Sequence, residues 1–156
     1  MDNKEARKIR IEQLKKRIKP QEKLGSLFEE CITALGEGTR IYSVEKSQSL
    51  IKDVDDKFQF TTWGRIDWST ISIKRKVDKI NEVIEFLELN QRSVINSFLI
   101  CWDNATYPII EAKLFNIIES WDDVEAVSFD TWLVDLEQGI LIENYHEGEL
   151  IVGILN

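Results

Sequence analysis

The side chains here that could carry acid–base or nucleophilic chemistry are few in kind. One histidine, His146, stands against 28 Asp and Glu residues and two cysteines. Ser-His-Asp or Cys-His catalysis would have to use His146. That residue lies in YHEGE, where Glu147 and Gly148 read as tight-turn residues and account for its position. Zinc sites needing two histidines are excluded by the count. No GxSxG, GxxxxGKS, GxxxxGKT, HExxH or Gly-rich strand-to-helix fingerprint is present.

Carboxylates leave two chemistries to weigh. A glycosidase can work with two carboxyl groups alone, and the pairs to consider are Asp67 beside Trp63 and Trp68, and Asp130 beside Trp132. Asp53, Asp55 and Asp56, or Asp122 and Asp123, are the hard-cation candidates, but none has the ligand spacing of an EF-hand loop. Both sets belong to a general excess of acids, most of which such a chain keeps solvated. Cys31 in LFEECITAL and Cys101 in FLICWD have apolar neighbours and no CxxC spacing, which reads as reduced, buried thiols. The residues therefore predict a non-enzymatic chain with no metal and no cofactor, one that binds a partner.

Charge says what kind of partner. Residues 1–23 hold nine Lys/Arg against four Asp/Glu, residues 24–76 hold eight of each, and residues 77–156 hold three against sixteen, within a chain of net charge −8. An acidic field repels nucleic acid and draws basic surfaces, so the second half predicts a basic protein partner and no direct contact with nucleic acid. Tryptophan dominates binding hot spots. Alternation along the segment after Glu125 puts Val127, Phe129, Thr131 and Leu133 on one face and Asp130, Trp132 and Val134 on the other. The expected partner-binding set is Asp122, Asp123, Asp130, Trp132, Asp135, Glu143, Glu147 and Glu149. Against it stands the plainer reading that TWGRIDW and DTWLVD are core strands.

Those residues need elements to hold them. A 156-residue chain with 43% hydrophobic residues is long enough for one buried core. No apolar run reaches the ~20 residues of a membrane span, and the N-terminal residues have no signal-peptide h-region, which predicts a cytoplasmic protein with no membrane partner. Residues 1–19 read as a basic helical arm stopped at Pro20, and 20–156 as a single α+β domain. Helices are expected over Leu24–Leu35, within Glu45–Lys57, over Lys74–Leu89 and from Pro108 to Trp121. Strands are expected at Arg40–Val44, within Phe58–Ile73 and at Val94–Trp102. The C-terminal third alternates with turns at Glu137–Gly139 and His146–Glu149, the pattern of an antiparallel meander. The fold class is α+β, with helices packed on one face of a mainly antiparallel sheet that ends in a C-terminal β-meander. Nothing in the pattern fixes an oligomeric state.

The segment SFDTWLVDLEQGILIENYHEGELIVGIL, through its DTW at Asp130–Trp132 and the ENYHEGE of Glu143–Glu149, resembles immunity proteins of bacterial polymorphic toxin systems, including contact-dependent growth inhibition. The resemblance covers about a sixth of the chain. It implies a small cytosolic inhibitor that binds a cognate toxin stoichiometrically, with a basic toxin domain, such as a nuclease, as its partner. Two other readings stay open: a protein-binding adaptor or regulator unrelated to toxins, and a small carboxylate-dependent hydrolase.

Overall fold

Gly36 and Gly38 end the first helix as their lack of a Cβ allows. Helix α1 (Ser26–Leu35) buries Phe28, Cys31, Ile32 and Leu35 at helical spacing, the Gly36 N–H bonds the Ile32 carbonyl at 3.1 Å, and Gly38 takes φ +83°. The computed structural model describes residues 25–156; the basic arm expected over residues 1–19 lies outside them. Strand β1 (Arg40–Ile41) leads into α2 (Val44–Lys57), whose first turn is capped by the Ser43 hydroxyl accepting the Lys46 N–H at 3.1 Å.

Two of the expected helices are corrected. Residues 74–77, assigned by periodicity to a helix beginning at Lys74, belong instead to strand β2 (Ile73–Val77), and the helix α3 starts only at Glu82 and runs to Leu89. Val77, Ile80, Ile84 and Leu87 fit helical spacing, but the free edge of the last strand supplies ladder partners for 73–77 that a local pattern does not contain. Past Pro108 the chain first makes strand β4 (Ile110–Lys113), with Ile110 and Ala112 buried on alternate positions, and only then the short helices α4 (Leu114–Glu119) and α5 (Trp121–Glu125). The segment 58–72 is not a strand; it holds one isolated bridge, Phe60 with Ile66, and a 3₁₀ turn at Trp68–Thr70.

With β3 (Ser97–Trp102) and the meander β5 (Thr131–Asp135), β6 (Ile140–Tyr145) and β7 (Glu149–Ile154), the strands make one antiparallel sheet in the order β1-β4-β3-β5-β6-β7-β2. The α+β class and the C-terminal meander are as the sequence predicts. The sheet faces divide by side-chain alternation. Phe98, Ile100, Leu133, Ile140, Ile142, Val152 and Ile154 point to one face, where α1, α3, α4 and α5 pack. Leu99, Trp132, Val134 and Leu141 point to the other, and there Leu50 and Val54 of α2 and Phe58, Ile66 and Ile71 of the following segment close a second core. Both faces of the sheet are thus covered, four helices on one and α2 with its sequel on the other.

Candidate functional site

The site is built at the end of the sheet where β3 stops, β5 starts and β6 turns into β7. Its base is a buried carboxylate. Glu143 is 0% exposed, and its two oxygens accept five hydrogen bonds. Oε1 takes Arg65 Nε (3.1 Å), Arg65 Nη2 (2.9 Å) and Trp68 Nε1 (3.0 Å); Oε2 takes the Ile66 N–H (2.7 Å) and Trp132 Nε1 (2.9 Å). A buried charge is tolerable only when paired and fully bonded, and here it is both. Arg65 also donates to Glu149 Oε2 at 2.9 Å and lies over the Tyr145 ring, 4.3 Å from its centroid. The two acids raise the Arg65 pKa despite its partial burial, and Arg65 in turn holds the Glu149 carboxyl below its ordinary value.

This network pins a small turn against the sheet. The Thr61 N–H bonds the Arg65 carbonyl at 2.7 Å, the Gly64 N–H bonds the Thr61 carbonyl at 3.1 Å, and the Asp67 N–H bonds the Gln59 carbonyl at 2.8 Å. Gly64 takes φ +87°, a conformation that costs a side-chain residue far more. The result is that Trp63 stands at the tip, 74% exposed. Asp67, weighed above as half of a carboxylate pair, spends Oδ1 on the Ser69 N–H and hydroxyl at the head of the 3₁₀ turn.

Beside Trp63 opens a cleft of about 340 Å³. Its walls are Ile51, Val54 and Asp55 of α2, Phe60, Trp63 and Gly64 of the turn, and Asp103, Ala105 and Tyr107 after β3, while Cys101 and Trp132 lie at its floor and Asp130 at its rim. The Asp130 Oδ1 accepts the His146 N–H (2.8 Å) and sits 2.9 Å from His146 Nδ1, and the Asp130 N–H donates to Asp103 Oδ1 at 2.9 Å. One carboxylate chain thereby links the ends of β3, β5 and β6. Phe129, next to Asp130, is 79% exposed and meets the His146 ring edge-on with centroids 6.4 Å apart.

Of the residues expected to bind a partner, Asp130, Glu147 and Glu149 gather at this end of the sheet, and Trp132 reaches the cleft from below. For Trp132 the plainer core-strand reading holds: it lies on the face opposite Leu133, but α2 and the 58–71 segment cover that face, leaving it 8% exposed. The alternation is corrected at its start, because Val127 and Phe129 precede β5 and Phe129 faces outward. Glu143 is interior. Asp135 is buried at the opposite end of the sheet, where it accepts the Gln138 N–H (3.1 Å) and side-chain amide (2.7 Å) across the β5–β6 turn. Asp122 and Asp123 open α5 on the helical face, away from the cleft, and Asp123 adds to the burial that pushes the Cys31 thiol up to about 12. Burial, and then the nearby Asp55, pushes Cys101 to about 12 as well. Arg65, Phe129, Asp103 and Tyr107 escaped the sequence reading; the TWGR turn with its central glycine is the one signal that marks Trp63 as a tip.

Among the described residues no three or more His, Cys, Asp or Glu come together as a metal cluster, and no helix is long and apolar enough to cross a membrane. His146 meets Asp130, yet neither cysteine reaches the pair among its hydrogen-bond partners, so the arrangement is a hydrogen-bonded brace with aromatic neighbours. A search of curated proteins finds no match to the chain. Residues 25–153, from the start of α1 through most of β7, match the family model of the CdiI immunity protein EcoliA0-like proteins. The match spans the whole cleft and nearly all of both cores, and the chain belongs to this family of contact-dependent growth inhibition immunity proteins, which neutralise a toxin by binding it.

Proposed function

We propose that this chain neutralises its cognate toxin through the end of the sheet that carries the cleft. One observation supports that reading above the others: two large aromatic rings, Trp63 and Phe129, stand exposed at an end of the sheet that also carries Asp55, Asp103, Asp130, Glu147 and Glu149, with Arg65 paired to Glu149. Exposed tryptophan and phenylalanine are costly to leave in water and gain most when a partner covers them. The surrounding carboxylates accelerate capture of a basic surface and reject acidic ones. A toxin domain with a cationic substrate site, as a nuclease has, is the partner this field suits. The chain acts in the cytoplasm as a stoichiometric cover and performs no chemistry.

The test is to express the toxin domain encoded with this chain, with and without it. Wild-type chain is expected to restore growth and to co-purify in a fixed ratio, and Trp63→Ala with Phe129→Ala to lose both while still folding. Rescue and co-purification undiminished by that double substitution would move the interface elsewhere, and rescue without any complex would overturn neutralisation by binding.

A further inference from the structure

The walls of the cleft have the chemistry of a cation receptor. Phe60, Trp63 and Trp132 line it with aromatic rings, beside Tyr107, whose ring stacks on Phe28; among the described residues Asp55, Asp103 and Asp130 are the charged groups of the lining, which includes no lysine or arginine. Arg65, the cation next along the chain from Gly64, is turned to Glu143 and Glu149 and is neutralised there. Asp55 has no hydrogen bond or ion pair among the described residues, and burial followed by the neighbouring Asp56 raises its pKa. That is an anion without compensation, set above the cleft floor. Asp130 and Asp103 each commit Oδ1 within the protein and leave Oδ2 unengaged among the described residues.

Resting on the neutralisation reading above, we propose that the cleft is a socket for a single basic side chain of the toxin, an arginine or lysine whose cation lies against Trp63 and between Asp55, Asp103 and Asp130. Cations favour the face of tryptophan over other rings, and a partly desolvated carboxylate favours them further. An arginine suits the shape best, since its planar guanidinium stacks on a ring while its edge donates to carboxylates. The exposed rings beside the cleft would then exclude water around the inserted side chain.

The socket is testable without the toxin. Nα-acetyl-arginine amide and Nα-acetyl-lysine amide, with Nα-acetyl-norleucine amide as the neutral control, are titrated into the full chain while the indole N–H resonances of Trp63 and Trp132 are followed by NMR. The basic probes are expected to give saturable shifts that weaken with added salt and with Asp55→Asn or Trp63→Ala by about fivefold or more. Both substitutions sit on exposed positions, so folding is not at stake. Equal response to the norleucine probe, or none to any probe, overturns the socket. Binding that emerges only after Lys15→Gln, Lys16→Gln and Arg17→Gln together would make the chain's own basic segment the occupant and overturn a toxin side chain in that role. Growth rescue separates the two readings: rescue intact in Asp55→Asn with no arginine binding sinks the socket alone, whereas arginine binding in a chain that does not rescue sinks neutralisation alone.

Discussion

The indole N–H of Trp132 donates at 2.9 Å to Oε2 of Glu143, its direct partner across the β5–β6 ladder. The pair sits at the junction between the second core and the cleft. It gives the fold a polar tie, and it also fixes the ring at the cleft floor.

Removing the carboxylate strands several donors at once. Glu143→Ala leaves the Ile66, Trp68 and Trp132 N–H groups and part of the Arg65 guanidinium unpaired in the interior. Loss of one side of a buried charge network costs about 3–5 kcal/mol. Urea unfolding followed by far-UV circular dichroism should show that loss, and Glu143→Gln should recover only part of it because its NH₂ cannot accept.

Trp132 and Phe129 should separate stability from binding. Trp132→Ala removes a buried ring and is expected to cost about 3–5 kcal/mol in unfolding free energy. Phe129→Ala, on an exposed ring, should leave stability within about 0.5 kcal/mol while weakening the toxin complex by at least about 1 kcal/mol, read by calorimetric titration. A Phe129 variant with unchanged affinity would remove that ring from the interface.

Gly153 in β7 has no room for a side chain. A Cβ there would lie 2.6 Å from Cζ3 of Trp68 and 3.1 Å from Cγ2 of Ile71. Gly153→Ala should force the Trp68 ring away from the sheet and cost about 1–3 kcal/mol, measured as a lowered Tm. The shift should also weaken the Trp68 hydrogen bond to Glu143, visible as a moved indole resonance.

Acid should loosen the turn through Glu149. Its carboxyl is held below its ordinary value by Arg65, so the stabilisation is complete above the unfolded-state pKa, about 4.3, and is lost as pH falls through the lower native value. The group is partly open to solvent, which limits the effect to less than about 1 kcal/mol. Glu149→Gln should lower stability at neutral pH by that same amount, leave it nearly unchanged in acid and so flatten the curve in that window; an equally steep curve in the variant would assign the acid loss to other carboxylates.

Local signals read well from the sequence where the local pattern has one solution. The apolar positions of α1 end at Gly36, and the meander turns carry Gly139 and Gly148 at φ +69° and +90°, so their placement needs no distant partner. Residues 74–77 and 110–113 read as helix because Val77 with Ile80 and Ile110 with Leu114 satisfy helical spacing, whereas their strand state depends on β7 and β3. The site shows the same division. Acidity and the DTW and ENYHEGE segments point to the end of the sheet that carries the cleft. Arg65 meets Glu143 from 78 residues away in sequence, so neither the burial of Glu143 nor the projection of Trp63 is visible in either segment alone.

The position of β2 at the sheet edge, paired only with β7, also sets an order of events during synthesis. Ile73 finds its partner Ile154 only after every strand up to β7 has been made. Until then the strand waits as an open edge, the state most exposed to wrong pairing. Lys74, Arg75 and Lys76, all exposed in the finished protein, repel a second copy of the same strand during that wait. Completion of the sheet therefore waits on synthesis of β7, and a nascent chain stalled before β7 would lack the strand on which β2 depends.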